Sequence, residues 1–132
     1  MIIHTDASCK GNVVGLGYVI RNNNQTHENA TFEKGDYTSM DGEYMAIREA
    51  AKVVQQHFEA EMPVYFYTDC QAVANKLSDP QSAKWEKRAH ELSLIVEYEF
   101  QVKWIPRERN RKADSLAGTG RRRGATKAVA AD

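Results

Sequence analysis

The 132-residue chain is long enough for one domain with a substantial core and too short for two. Hydrophobic residues make up 42% and charged residues 27%, the balance of a folded globular chain, and the apolar runs are too short for a membrane-spanning helix. The formal net charge of zero hides an asymmetry: residues 1–100 carry 9 Lys/Arg against 15 Asp/Glu, while residues 101–132 carry 9 against 3. Basic blocks such as "RERNRK" (107–112) and "RRR" (121–123) suit phosphate contacts. Beyond residue 118 the composition equally suits a solvated, flexible tail. Cys9 and Cys70 lack the spacing of a disulfide framework and read as reduced thiols. With no signal-peptide pattern at the N-terminus, a cytoplasmic location is expected.

In chain order, Met1–Ser8 reads as a strand and "KGNVVG" as a Gly/Asn turn. Leu16–Arg21 is a second strand, "NNNQ" (22–25) a hairpin, and Thr26–Lys34 a third strand. From Asp41 to Phe58 the spacing is helical, with Ile47, Ala50, Ala51, Val54 and Phe58 on one stripe. "VYFYTD" (64–69) is a continuous apolar run of strand length, the pattern of a central strand buried on both faces. A short helix spans Gln71–Leu77, and "SDPQ" signals a turn and a helix start. Lys84–Tyr98 is a helix with Trp85, Ala89, Leu92 and Val96 inward, and Phe100–Ile105 is the last strand. Pro106–Arg111 is a loop, and Ala113–Ala117 begins a terminal helix. The order βββαβααβα predicts an α/β fold: a five-stranded mixed sheet, a three-strand antiparallel meander plus two parallel strands, with helices packed on it.

Four acids stand where an ordinary structural role is uncomfortable. Asp6 and Asp69 each follow a threonine at the expected C-terminal end of a strand, where open sheets bind ligands. If those strands are parallel neighbours, the two carboxylates lie side by side. Glu43 shares the core-facing stripe of its helix, four residues before Ile47 and eleven before Val54. Asp114 opens the terminal helix beside Leu116 and Ala117. Singly, each acid could serve a cap or a helix dipole, worth roughly 0.3–1 kcal/mol. Together they cannot all ionise without a counter-charge, and no lysine or arginine adjoins Asp6, Glu43 or Asp69 in sequence. A divalent cation supplies it. An all-oxygen donor set favours Mg²⁺ or Mn²⁺, and the scattered histidines and cysteines argue against zinc. Two such ions about 4 Å apart can hydrolyse a phosphodiester.

"IHTDASCKGN…GLGYVI", "GEYMAI", "YTDCQAV" and "WIPRERNRKADSLA" resemble, in order and spacing, the four blocks of type 1 ribonuclease H over residues 2–118. The resemblance implies a ribonuclease H-like catalytic domain over 1–118, followed by a basic, flexible tail over 119–132. It implies endonucleolytic cleavage of the RNA strand of RNA–DNA hybrids, largely sequence-independent, with two Mg²⁺ or Mn²⁺ ions. It assigns Asp6, Glu43, Asp69 and Asp114 as catalytic, metal-binding acids. It places Cys9 and Asn12 near the RNA, Gln71 in the minor groove, and Thr38 on a DNA phosphate. Ser39, Arg107 and Arg109 complete the candidate substrate contacts. A monomer is expected, with double-stranded RNA or RNA–DNA junctions as further possible substrates. A hybrid-binding module without catalysis is the alternative from another class.

Three departures from the family pattern stand out. The loop before Asp114 is "PRERN" and lacks the family's frequent histidine; His4, His27, His57 and His90 read as structural or surface residues. "LSDPQSAKWEKRAHEL" is too short and mixed in charge for a basic protrusion. "TSMDGE" replaces an Asn-rich approach to Glu43, with Asp41 read as a helix cap. Trp85 and Trp104 read as core residues.

Overall fold

In a computed structural model of the chain, residues 1–58 and 63–130 are described. Nine regular elements follow the expected order: β1 (Ile2–Lys10), β2 (Val13–Asn22), β3 (Gln25–Lys34), α1 (Ser39–His57), β4 (Val64–Thr68), α2 (Gln71–Ser78), α3 (Ala83–Ile95), β5 (Phe100–Trp104) and α4 (Arg111–Ala130). One five-stranded sheet has the order β3-β2-β1-β4-β5. β1, β2 and β3 form an antiparallel meander, and β4 and β5 join β1 in parallel. This is the predicted ribonuclease H-like α/β arrangement.

The first strands are longer than their composition suggests. The expected turn over residues 10–15 shrinks to Gly11–Asn12, with Gly11 at φ +62°, a conformation that suits glycine. Val13–Gly15 belongs to β2, so its glycine is not a turn residue. A Cβ at Gly15 would stand 2.0 Å from the Ala117 carbonyl oxygen, and one at Gly17 would stand 2.4 Å from that of Ala113. These glycines let α4 lie backbone-to-backbone on the sheet. Gly120 does the same from the helix side, where an added Cβ would stand 2.0 Å from the Thr31 carbonyl oxygen.

The other sheet face carries the main core. Ile3, Tyr18, Ile20, Phe66 and Val102 pack against Ile47, Ala50, Ala51 and Val54 of α1 and against Val73, Trp85 and Leu92 of α2 and α3. The capping box at Thr38 starts α1: the Thr38 hydroxyl accepts from the Asp41 N–H at 3.1 Å, and the Asp41 carboxylate accepts from the Thr38 N–H at 3.2 Å. Asp41 is therefore the cap it was read to be, held further by Lys84 at 3.1 Å and Arg88 at 2.9 Å. Burial alone would raise its carboxyl, but the hydrogen bonds from Thr38, Arg88 and Lys84 outweigh it and hold it below the carboxylate range.

Three expectations are corrected. α3 stops at Ile95, and Val96 keeps its inward position as an extended C-cap rather than a helical residue. Trp85 is core, 5% exposed, but Trp104 is 47% exposed because β5 is an edge strand and Trp104 is its last residue. The basic segment from 119 is not a flexible tail up to Ala130. It continues α4, and Gly120 and Gly124 seat it on Thr31 and Phe32 of β3; residues 131–132 of that expected tail lie outside the described residues. Among the described residues, no helix is long and apolar enough to cross a membrane.

Candidate metal centre

β1 and β4 run in parallel with His4 opposite Tyr67, a register that puts Asp6 level with Asp69. β4 ends at Thr68 whereas β1 continues to Lys10. Asp6 therefore lies in mid-strand, not at a strand end as expected, at the point where β4 no longer pairs with β1. Glu43 arrives there from the fifth position of α1, at the start of its second turn. One oxygen from each of Asp6, Glu43 and Asp69 falls within 4.8 Å of the others. Asp114, in the first turn of α4, lies against Asp6 and adds its charge to Asp69. The four acids sought from sequence thus meet at one edge, three of them as a compact group with Asp114 beside it.

The electrostatics are those of crowded, poorly solvated anions. Burial pushes the Asp6 carboxyl up, and the Asp69 charge adds to that; a hydrogen bond with Glu43 works the other way. Burial likewise raises Glu43, and Asp6 and Asp69 raise it further. Asp69 is raised by burial, with the Asn110 amide and the Arg107 guanidinium opposing. Glu43 Oε2 is buried and has no hydrogen-bond partner. Such an atom costs about 1–3 kcal/mol or more when it is a charged acceptor. An all-oxygen set with an orphaned lone pair is the donor chemistry of a hard divalent cation, so the residues fit Mg²⁺ or Mn²⁺.

One residue of this site was not singled out from sequence. Asn110 is 1% exposed, and its Nδ2 donates to the Thr5 carbonyl oxygen at 2.8 Å. Its backbone carbonyl oxygen accepts from the Asp114 N–H at 3.0 Å, at the start of α4. It ties β1 to α4 and stabilises ionised Asp69. The available signal was an Asn four residues before Asp114, at a helix start.

The candidate substrate residues surround this edge unevenly. Cys9 is exposed near the end of β1, with its Sγ 3.9 Å from the Thr38 carbonyl oxygen. Asn12 is exposed in the adjoining turn, and Ser39 is the exposed first residue of α1. Gln71 opens α2, exposed, two residues after Asp69. Arg107 and Arg109 form a single 3-10 turn, both exposed. Arg107 acts on Asp69, whereas Arg109 borders a cavity of about 120 Å³ together with His4, Arg21 and Lys112. Burial, with the charges of Glu43 and Asp41, raises the Cys9 thiol and makes it a poor thiolate. His4 stacks on Tyr67 at 5.4 Å and meets Arg21 at 3.2 Å, the structural role expected of it.

Residues 4–120 match the protein family described as reverse transcriptase-like. No curated protein matches the chain. Among solved structures, LC11-RNase H1 in complex with an RNA/DNA hybrid is 23% identical, with a TM-score of 0.80 over 94% of this chain and 98% of that one. A second structure of LC11-RNase H1, isolated from compost by a metagenomic approach, is 26% identical, with a TM-score of 0.79 over 94% and 96%. RNase H1 of the halophilic archaeon Halobacterium salinarum NRC-1 is 19% identical, with a TM-score of 0.75 over 90% and 95%.

Proposed function

Because this chain belongs to the reverse transcriptase-like family and has the type 1 ribonuclease H fold, we propose that it is a metal-dependent endonuclease that hydrolyses the RNA strand of RNA–DNA hybrids. The observation that carries this reading is the group of Asp6, Glu43 and Asp69, drawn from three separate elements to within 4.8 Å, with one Glu43 oxygen left without a partner. A protein that only bound nucleic acid would gain nothing from burying like charges together.

Asp6, Glu43 and Asp69 would hold the cations, with Asp114 completing the set. When bound, Mg²⁺ or Mn²⁺ would supply the means to activate a water and to stabilise the leaving oxygen of a phosphodiester. The remaining roles belong to the chain itself. Asn110 fixes Asp69 and the start of α4, so the carboxylates keep their spacing as they ionise. Arg107, exposed beside Asp69, draws a phosphate toward that edge. The Gly11–Asn12 turn and Gln71 flank the carboxylates with amide groups. These suit the 2′-hydroxyls displayed in the wide, shallow minor groove of a hybrid, a contact that identifies ribose without reading base sequence. Thr38, at the N-terminus of α1, offers its helix end to a phosphate of the DNA strand.

The test is cleavage of an end-labelled RNA–DNA hybrid, duplex RNA and duplex DNA at matched salt, with Mg²⁺, with Mn²⁺ and with chelator. Hybrid-specific fragments that require the cation are expected. Asp69→Asn should remove them while the circular dichroism spectrum stays unchanged. Fragments that persist in chelator, or in Asp69→Asn, would overturn the reading.

A further inference from the structure

Parallel strands are almost always covered on both faces. Here α1, α2 and α3 cover one face of the sheet, while α4 lies over β1, β2 and β3 on the other. Strand alternation places Ile2, His4, Tyr65, Tyr67, Gln101 and Lys103 together on α4's side. There they keep solvent contact: Ile2 is 43% exposed, Gln101 and Lys103 are exposed, and His4 and both tyrosines are half-buried. The run "VYFYT", expected to be buried on both faces, is therefore buried on one and open on the other.

What stands on that open face has a consistent chemistry. His4 and Tyr67 form an offset ring stack with centroids 5.4 Å apart. Lys103 Nζ hovers 5.0 Å from the Tyr65 ring centroid. Arg21 and Arg109, both exposed, border the cavity beside His4. The nearby acid Glu28 is already engaged by Lys112 at 3.3 Å. Rings interleaved with cations are the composition of a surface that stacks bases and follows a phosphate backbone. The face also has a direction. His4 and Tyr67 each stand two residues before Asp6 and Asp69 on the same side of their strands, about 7 Å of strand from the carboxylate level. A strand leaving the carboxylates would meet the His4–Tyr67 stack first and Tyr65 with Lys103 next.

We infer that this open face is a platform for a single-stranded extension of the RNA strand, so that the preferred substrate is a hybrid flanked by unpaired RNA. The inference rests on the ribonuclease H reading above. It goes beyond that reading by naming the substrate class and the residues that select it. Bases of the extension stack on Tyr67 and Tyr65, while Lys103, Arg21 and Arg109 meet its phosphates.

The experiment compares KM for a blunt RNA–DNA hybrid with KM for the same hybrid carrying a six-nucleotide RNA extension, placed at the 5′ end or the 3′ end. Wild-type protein should show a KM about tenfold lower for one of the extended substrates, a modest share of what base stacking can give. Tyr65→Ser with Tyr67→Ser should erase that preference and leave blunt-hybrid cleavage unchanged. Tyr65→Phe with Tyr67→Phe, which keeps the rings, should retain it. Equal KM for blunt and extended hybrids in wild type, or a preference that survives the serine pair, would overturn the platform while leaving the nuclease reading intact. Concentration-dependent dimerisation lost in the serine pair would overturn it in favour of an interface between copies. Failure to cleave any hybrid would overturn both readings.

Discussion

The two faces of the sheet are held by opposite means. On the α1 side, large side chains fill the space: Ile3, Tyr18, Phe66 and Ile47 are each no more than 2% exposed and belong to one cluster. On the α4 side, contact is made by leaving side chains out, at Gly15, Gly17 and Gly120. The first face draws its stability from apolar area and tolerates some adjustment of shape. The second draws it from close backbone approach and tolerates almost none. The carboxylates sit where the faces meet. Glu43 comes from the helix of the filled face, Asp114 from the helix of the close-packed face, Asp6 from the sheet between them and Asp69 from the residue just past β4.

The comparison can be broken from either side. Phe66→Ala should cost the most, about 3–5 kcal/mol, because it opens a cavity in the centre of the filled face; urea denaturation measures this. Gly15→Ala adds a single methyl group to the other face, yet it should cost about 3 kcal/mol, at the upper end for overpacking, since the Cβ meets backbone that cannot rotate away. A cost below 1 kcal/mol would show that α4 can lift from the sheet.

The seam between the faces responds to pH. The folded protein holds Asp6, Glu43 and Asp69 above their ordinary values, so it binds more protons than the unfolded chain. Their contribution is fully present below the ordinary carboxylate pKa of about 4 and is lost as pH rises above it. Metal-free protein should therefore lose on the order of 1–2 kcal/mol between pH 5 and 8 through these groups. Asp6→Asn should flatten that slope, and Mg²⁺ should restore stability at the alkaline end. Melting temperatures across pH, with and without the cation, provide the check. The smallest effect concerns the cap on the filled face. Thr38→Ala removes one half of the capping box and should cost about 1 kcal/mol, measured by the same denaturation.

What could be read from sequence follows the same division. The α1 stripe and the order of elements were legible because helical and strand periods are local properties. The register of Asp6 with Asp69 followed once β1 and β4 were taken as parallel neighbours. Gly15 of the other face was misread as part of a turn, because a glycine that admits a helix looks the same in sequence as one that turns a chain. The helix beyond residue 118 was hidden for the same reason: its glycines and arginines describe a tail until the sheet surface beneath them is known. Tyr65 and Tyr67 looked buried because apolar strand residues do not announce that a covering helix stops short. Asn110 was passed over because its partners, Thr5 and Asp69, are distant in the chain.

The tie between Asn110 and Thr5 spans 105 positions. The hairpins of β1, β2 and β3 close over short loops and can form early, within microseconds once synthesised. Asn110 and Asp114, by contrast, are made long after β1 and must return to it. A nascent chain can therefore form the meander before its acidic cluster is assembled. The set of four carboxylates is complete only when α4 lies down on strands already in place.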